Sequence, residues 1–150
     1  MNTKEAMTII GIDPGNTHSA AVATYTLTMP LPPLPLRPNG RAHWRVKAKA
    51  TKLYRELAYL RAKQAIGKAV PPRWPKATVQ CDFYFKTAVM WDPDNAVAAM
   101  KAGMDGIADA GFVGNDRNLW PLRPTMRKDA KNPRVEITIA EETERRLYQP

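Results

Sequence analysis

The sequence predicts an α/β (α+β) domain, a small mixed β-sheet with two main helices. Three observations carry that expectation. Short β-branched or alternating apolar runs stand at residues 8–12, 20–29, 78–86 and 135–139. Two longer stretches, 47–66 and 94–110, repeat apolar residues every three or four positions instead. Strand patterns interleaved with helical ones indicate a mixed layer rather than an all-β fold.

Each element has a local reason. Residues 8–12 (TIIGI) end at Asp13-Pro14-Gly15-Asn16, which suits a type II turn, so residues 20–29 can return as the second strand of a hairpin. Residues 30–38 hold five prolines in nine positions, which excludes a helix or central strand and predicts an extended arm. In the helix at 47–66, Leu53, Leu57, Leu60 and Gln64 mark one face, and Gly67 with Pro71, Pro72 and Pro75 ends it. Val79, Cys81, Phe83 and Phe85 alternate as a half-buried strand. The helix at 94–110 has Asp94 or Asn95 as its N-cap, Gly111 as its exit, and an apolar stripe of Val97, Met100, Met104 and Ile107. Gly103 and Gly106 weaken that helix, so close packing against a neighbour is expected there. Residues 119–122 form a short edge strand, since Pro121 and Pro124 are unsuited to a sheet centre. Val135, Ile137 and Ile139 give the last strand. His18, Trp74, Trp91, Trp120 and Cys81 read as structural.

The chain has 150 residues, room for one compact domain and little besides. The expected division is an N-terminal extension at 1–23, a domain at 24–140 and a charged tail at 141–150. A single cysteine excludes an intramolecular disulfide and any cysteine-based zinc site. No run approaches the ~18 apolar residues of a spanning helix. A soluble protein of a reducing compartment is expected, in the cytoplasm of a bacterium or a phage-infected host.

Charge is the next constraint. Lys and Arg number 23 against 14 Asp and Glu, a formal charge of +9. Between residues 14 and 81 there are twelve basic residues and one acidic residue, Glu56. From 92 to 116 the balance inverts, with Asp92, Asp94, Asp105, Asp109 and Asp116 around Lys101. Residues 117–134 are basic again. A basic surface neutralises phosphates, and clustered carboxylates hold the divalent metal that phosphodiester hydrolysis uses. The competing reading of the island is an acidic helix face with solvated charges.

Asp92 and Asp94 stand two apart in an extended segment, so both can face one ion. In one continuous helix, Asp94, Lys101 and Asp105 share a stripe, and the short connection after Gly111 can fold Asp116 back. Oxygen-only coordination with retained waters suits Mg²⁺, with Mn²⁺ as a substitute. The competing readings are helix capping for the aspartates and an i,i+4 ion pair between Lys101 and Asp105. Arg37, Arg41, Arg45, Lys47, Lys49 and Lys52 form a candidate phosphate track, with Asn39 as a further DNA-binding candidate. Trp44 and His43 lie inside it, suited either to stacking on bases or to packing between arm and helix.

TYTLTMPLPP at 24–33, NGRAHWR at 39–45, DPDN at 92–95, KAGMDGIADAGF at 101–112 and Asn115-Asp116 together resemble the RusA family of Holliday-junction resolvases. The resemblance covers about residues 24–140. It implies a small α/β homodimer that cuts four-way DNA junctions with Mg²⁺. The family's acidic triad would fall on Asp92, Asp94 and Asp116, and its active-site lysine on Lys101. Two departures stand out. Five residues separate Asn95 from Lys101, more than in the shortest members, and Asn115 stands where an acidic residue is frequent. A junction-binding protein with a disarmed site is the alternative. TIIGIDPG at 8–15 resembles the first strand of RuvC-type resolvases, with Asp13 at the metal-binding position. A turn aspartate explains Asp13 equally well.

The charge distribution makes one prediction. If the basic track contacts about six to ten phosphates, affinity for DNA falls roughly 10³–10⁵-fold between about 50 and 200 mM salt. Binding titrations across that range check it, and a flat response rejects the track.

Overall fold

The computed structural model describes residues 7–10, 22–88 and 91–142. The turn at 13–16, with Asp13, lies outside them, as do His18 and the tail from 143 onward. Among the described residues the fold is mixed α+β, a sheet covered on one face by helices.

The strands are β1 (Met7–Ile10), β2 (Val22–Met29), β3 (Ala77–Phe85), β4 (Leu119–Pro121), β5 (Thr125–Lys128) and β6 (Arg134–Glu141). The helices are α1 (Trp44–Ile66), α2 (Pro93–Ala99) and α3 (Lys101–Asp109). Strand order is β1-β2-β6-β3-β4, with β5 also paired to β3. The expected hairpin is present as antiparallel pairing of β1 with β2, Thr8 opposite Thr24. Central β6 runs antiparallel to both neighbours, while β4 and β5 lie parallel to β3.

Alternation creates the core. Tyr25, Ile139 and Val79 align across the sheet, as do Leu27, Ile137 and Cys81, and Met29, Val135 and Phe83. All nine are buried. Burial pushes the Cys81 thiol pKa up to about 12, so this cysteine is an inert core residue. The opposite face carries Thr26, Thr28, Gln80, Asp82, Glu136 and Thr138, half-buried or exposed.

Four local expectations need correction. The proline segment contains one 3-10 turn, Leu34–Leu36, anchored by buried Leu36. Its donors are Leu36 and Arg37, so the missing N–H of Pro35 costs no bond. α1 begins at Trp44 and turns a different face inward. Tyr54, Ala58, Ala62 and Ile66 are buried, whereas Leu53 is 55% and Leu60 57% exposed. The second helix is two helices. Its ladder tightens at Met100, whose N–H reaches the Val97 carbonyl at 3.0 Å and whose φ and ψ are −86° and 0°. The basic stretch after Pro124 holds an additional strand, β5. Leu122, Arg123 and Pro124 break the edge, and β4 and β5 cover successive parts of β3.

Close approach of α1 and α3 holds the helical layer together. A Cβ on Gly106 would stand 2.9 Å from Ala58 Cβ and 3.0 Å from Tyr59 N, and against the Arg55 carbonyl. The close packing expected at this glycine is therefore present. Tyr54 Oη donates to the Pro30 carbonyl at 2.8 Å and fixes α1 to the end of β2. Gly111, at φ 98°, makes the left-handed exit after α3. No helix among the described residues is long and apolar enough to cross a membrane.

Gly106→Ala should cost about 1–3 kcal/mol by overpacking backbone, despite alanine's better helix propensity. Gly114→Ala, with open space around it, should change stability by less than about 0.5 kcal/mol. Urea unfolding of both variants checks the contrast.

Candidate functional site

α3 presents its polar face beside α1. Lys101, in the first turn, donates from Nζ to Asp105 Oδ1 at 2.7 Å and to Asp116 Oδ2 at 2.8 Å. One helical turn makes the first pair local. The second spans the connection and exists because a 3-10 turn, Asp116–Asn118, brings Asp116 back. Asn115 starts that turn, its side-chain oxygen accepting from the Arg117 N–H at 3.1 Å.

Arg55 of α1 forms a second bridge, with Nε and Nη2 on the two oxygens of Asp109 at 2.6 and 2.8 Å. Arg55, Asp105, Ala108, Asp109, Gly114, Asn115 and Asp116 surround a cavity of about 310 Å³. Hydrogen bonds to Asp105 and then Asp116 hold the Lys101 ammonium above its ordinary pKa. Its hydrogen bond and charge keep Asp116 below the ordinary carboxylate value. Arg55 does the same for Asp109.

The other two predicted carboxylates lie at the start of α2. Asp92, not Asp94 or Asn95, is the N-cap, and its Oδ1 accepts from the Asp94 N–H at 3.0 Å. Both aspartates line a cavity of about 540 Å³ with Val97, Pro121, Leu122 and Arg123. Asp92 also borders a cavity of about 200 Å³ with Arg37, Asn39, Trp91 and Asn95. There the Arg37 guanidinium lies 4.2 Å from the centre of the Trp91 ring.

Asp92 and Asp94 thus line one cavity, and Asp116, bonded to Lys101, lines another. The break at Met100 falls between Asp94 and Lys101, so their seven-residue spacing does not run through one uninterrupted helix. Among the described residues no group of three or more His, Cys, Asp or Glu stands close enough to hold a metal ion.

The basic track divides as well. Trp44, Lys47, Ala48, Thr51, Lys52 and Arg55 recur at i, i+3, i+4, i+7, i+8 and i+11 and line one groove of about 520 Å³ on α1. Trp44 is 67% exposed, so it does not pack between arm and helix. Asn39 lines the Trp91 cavity instead, while Arg41, Arg45 and Lys49 are exposed outside the groove. Arg55 belongs to both the groove and the acidic cavity. Sequence reasoning passed over Arg55 and left Asp109 among the unassigned aspartates. Helical spacing from Trp44 could have found Arg55, but not its partner 54 residues away.

A protein of Xylella fastidiosa strain Temecula1, described as an uncharacterized protein, is 34% identical over 117 residues. The match covers 76% of this chain and 74% of that protein. The chain belongs to that protein's family. No family model matches the sequence, so the RusA resemblance stands on the motif residues.

The Arg55–Asp109 bridge carries a pH signature. A carboxyl depressed by folding stabilises fully above its unfolded pKa, about 3.9, and this is lost as pH falls through the folded value. Both partners are well exposed, at 48% and 40%, so the contribution is about 0.2–1 kcal/mol after solvent screening. Asp109→Asn should lose that much stability at pH 7 and show a shallower decline below about pH 4. Denaturation midpoints measured across pH check both features.

Proposed function

We propose that this protein is a metal-dependent endonuclease acting on branched DNA, four-way junctions above all, as the RusA resemblance implies. One observation carries the reading. The basic, aromatic groove on α1 and the carboxylate cavity share a lining residue, Arg55. A strand whose phosphates lie along Lys47, Lys52 and Arg55, with a base against Trp44, would be led toward Lys101 and Asp116.

The residues fit Mg²⁺ in part. Asp92 and Asp94 are oxygen donors lining one cavity, and Mg²⁺ is commonly held by one or two carboxylates, with waters and substrate phosphate completing its shell. Asp116 does not join them in this arrangement, since Lys101 holds it. When bound, a divalent ion would acidify a water and offset phosphate charge. This chain's own groups supply the rest. Lys101 offers a positive charge for the charge that develops on phosphate as water adds and the leaving oxygen departs. Asp105 and Asp116 orient that ammonium from two sides. Arg123, which lines the same cavity as Asp92 and Asp94, can bind a flanking phosphate.

A second reading, a junction-binding protein that does not cut, is favoured by the engagement of Asp116 with Lys101. One experiment separates the two. On the endonuclease reading the protein cleaves a synthetic four-way junction in Mg²⁺. Asp92→Asn and Asp116→Asn retain junction binding and lose cleavage by at least about 10²-fold, the scale of a lost transition-state electrostatic contact. Wild-type cutting by either variant, or no cutting by the parent protein in Mg²⁺ or Mn²⁺, rejects it.

A further inference from the structure

The Trp91 cavity has the lining of a site for one unpaired nucleobase. It opens where the loop at 37–39 meets the start of α2, and Arg37, Asn39, Trp91, Asp92 and Asn95 line it. Both walls are fixed. The Trp91 ring lies 5.2 Å from that of Phe85 and 6.2 Å from that of Phe83, and both phenylalanines are buried. On the other wall the Gly40 N–H donates to the Arg37 carbonyl at 2.9 Å. A Cβ on Gly40 would stand 2.9 Å from the Leu34 carbonyl oxygen, so this bend is closely packed.

Stacking and hydrogen-bonding groups meet in this one place. The Arg37 guanidinium lies over Trp91 and forms no salt bridge among the described residues. Its Nε is shut off from solvent and has no hydrogen-bond partner there. The indole offsets part of the burial of that cation, and a base would offer it a second aromatic face. Asn39 and Asn95 each bring a carboxamide, donor and acceptor at once, and neither side chain is hydrogen-bonded among the described residues. A planar cation for stacking and carboxamides for the base edge are the means by which unpaired bases are recognised. The volume of about 200 Å³ falls below the roughly 300–1,000 Å³ that drug-sized ligands occupy, which suits a single ring system.

Asp92 fixes which base this is, because it lines both this cavity and the one holding Asp94 and Arg123. A base in the smaller cavity belongs to a nucleotide whose own phosphate adjoins Asp92. We propose that the Trp91 cavity takes up one unpaired base beside the phosphate at Asp92 and thereby favours branched over fully paired DNA. Drawing a base out of a duplex breaks its pairing and stacking, and that cost is least where the base is already unpaired. The pocket rests on the DNA-binding half of the endonuclease reading and not on cutting.

The test is binding of a synthetic four-way junction by the full chain in EDTA, with an abasic nucleotide moved through the positions flanking the branch point. At one position affinity should fall about 5–150-fold, the scale of a single stacked base. Arg37→Lys keeps the charge and loses the planar cation, so it should weaken binding to the intact junction comparably without lowering the salt slope. Asn39→Ala should weaken it too, and neither variant should lose anything further on the junction lacking the critical base. A single strand carrying a fluorescent adenine analogue gives a second readout. The parent protein and Asp116→Asn should quench it, and Arg37→Lys should not. Equal affinity at every abasic position, parent-like binding by both variants, losses that persist in full on the abasic junction, a lowered salt slope in Arg37→Lys, or no quenching overturns the proposal. A base effect without cutting counts against only the nuclease reading, and cutting without a base effect only against this pocket.

Discussion

The contact of Gly106 with the α1 backbone is the constraint on which the polar site depends. α3 is only nine residues long and cannot orient itself by propensity, particularly with two glycines. Its position comes from lying directly on α1 at Ala58 and Tyr59. Once α3 is seated, Ala102, Gly103, Gly106 and Ile107 are committed to the interior. Lys101, Asp105 and Asp109 are left on the outer side, with Arg55 one turn before Ala58 directly above Asp109. The sheet beneath needs no special contact of this kind. Its register follows from alternation in β2, β6 and β3, and a one-residue slip of any one of them would turn that strand's buried side chains to the other face.

The electrostatics follow from that seating. Three carboxylates line one small cavity, and two cations from different elements form salt bridges to them. Removing either cation would leave like charges side by side, which favours the proton-bound form of at least one of them. The compensating charge comes from the chain's own side chains. It also sets a competition, since any ligand drawing on Asp116 must replace the charge that Lys101 supplies. By contrast, no cation forms a salt bridge to Asp92 or Asp94 among the described residues, and these two stand freest to take one up.

Much of the fold was legible because strands and core share a period. Val79, Cys81, Phe83, Val135, Ile137 and Ile139 alternate in the sequence and are all inside. Three features were not legible, each for a physical reason. The break at Met100 has no proline to mark it, and a buried methionine continues the apolar stripe through it. β5 reads as a charged loop because an edge strand buries little and is held mainly by backbone bonds to β3. The candidate site was legible residue by residue but not in its grouping. The alignment of Asp94 with Lys101 assumed an unbroken helix, whereas the bond from Lys101 to Asp116 depends on a return turn that spacing does not reveal.

α1 shows why a correct period can lead to the wrong face. Leu53, Leu57 and Leu60 carry the strongest apolar signal in the helix, and hydrophobicity alone assigns that stripe to the core. Packing against a glycine-bearing helix asks for small side chains, and Ala58 and Ala62 meet that need better than leucine could. The leucines are consequently displaced to the outside. A sequence records that a surface is apolar, not whether its complement is in the same chain. On α1 the small face fits its own domain closely, and the large face is left outside. The groove of Trp44, Lys47 and Thr51 continues the small-residue face toward the N-terminal end of α1, on the side away from Leu53 and Leu60.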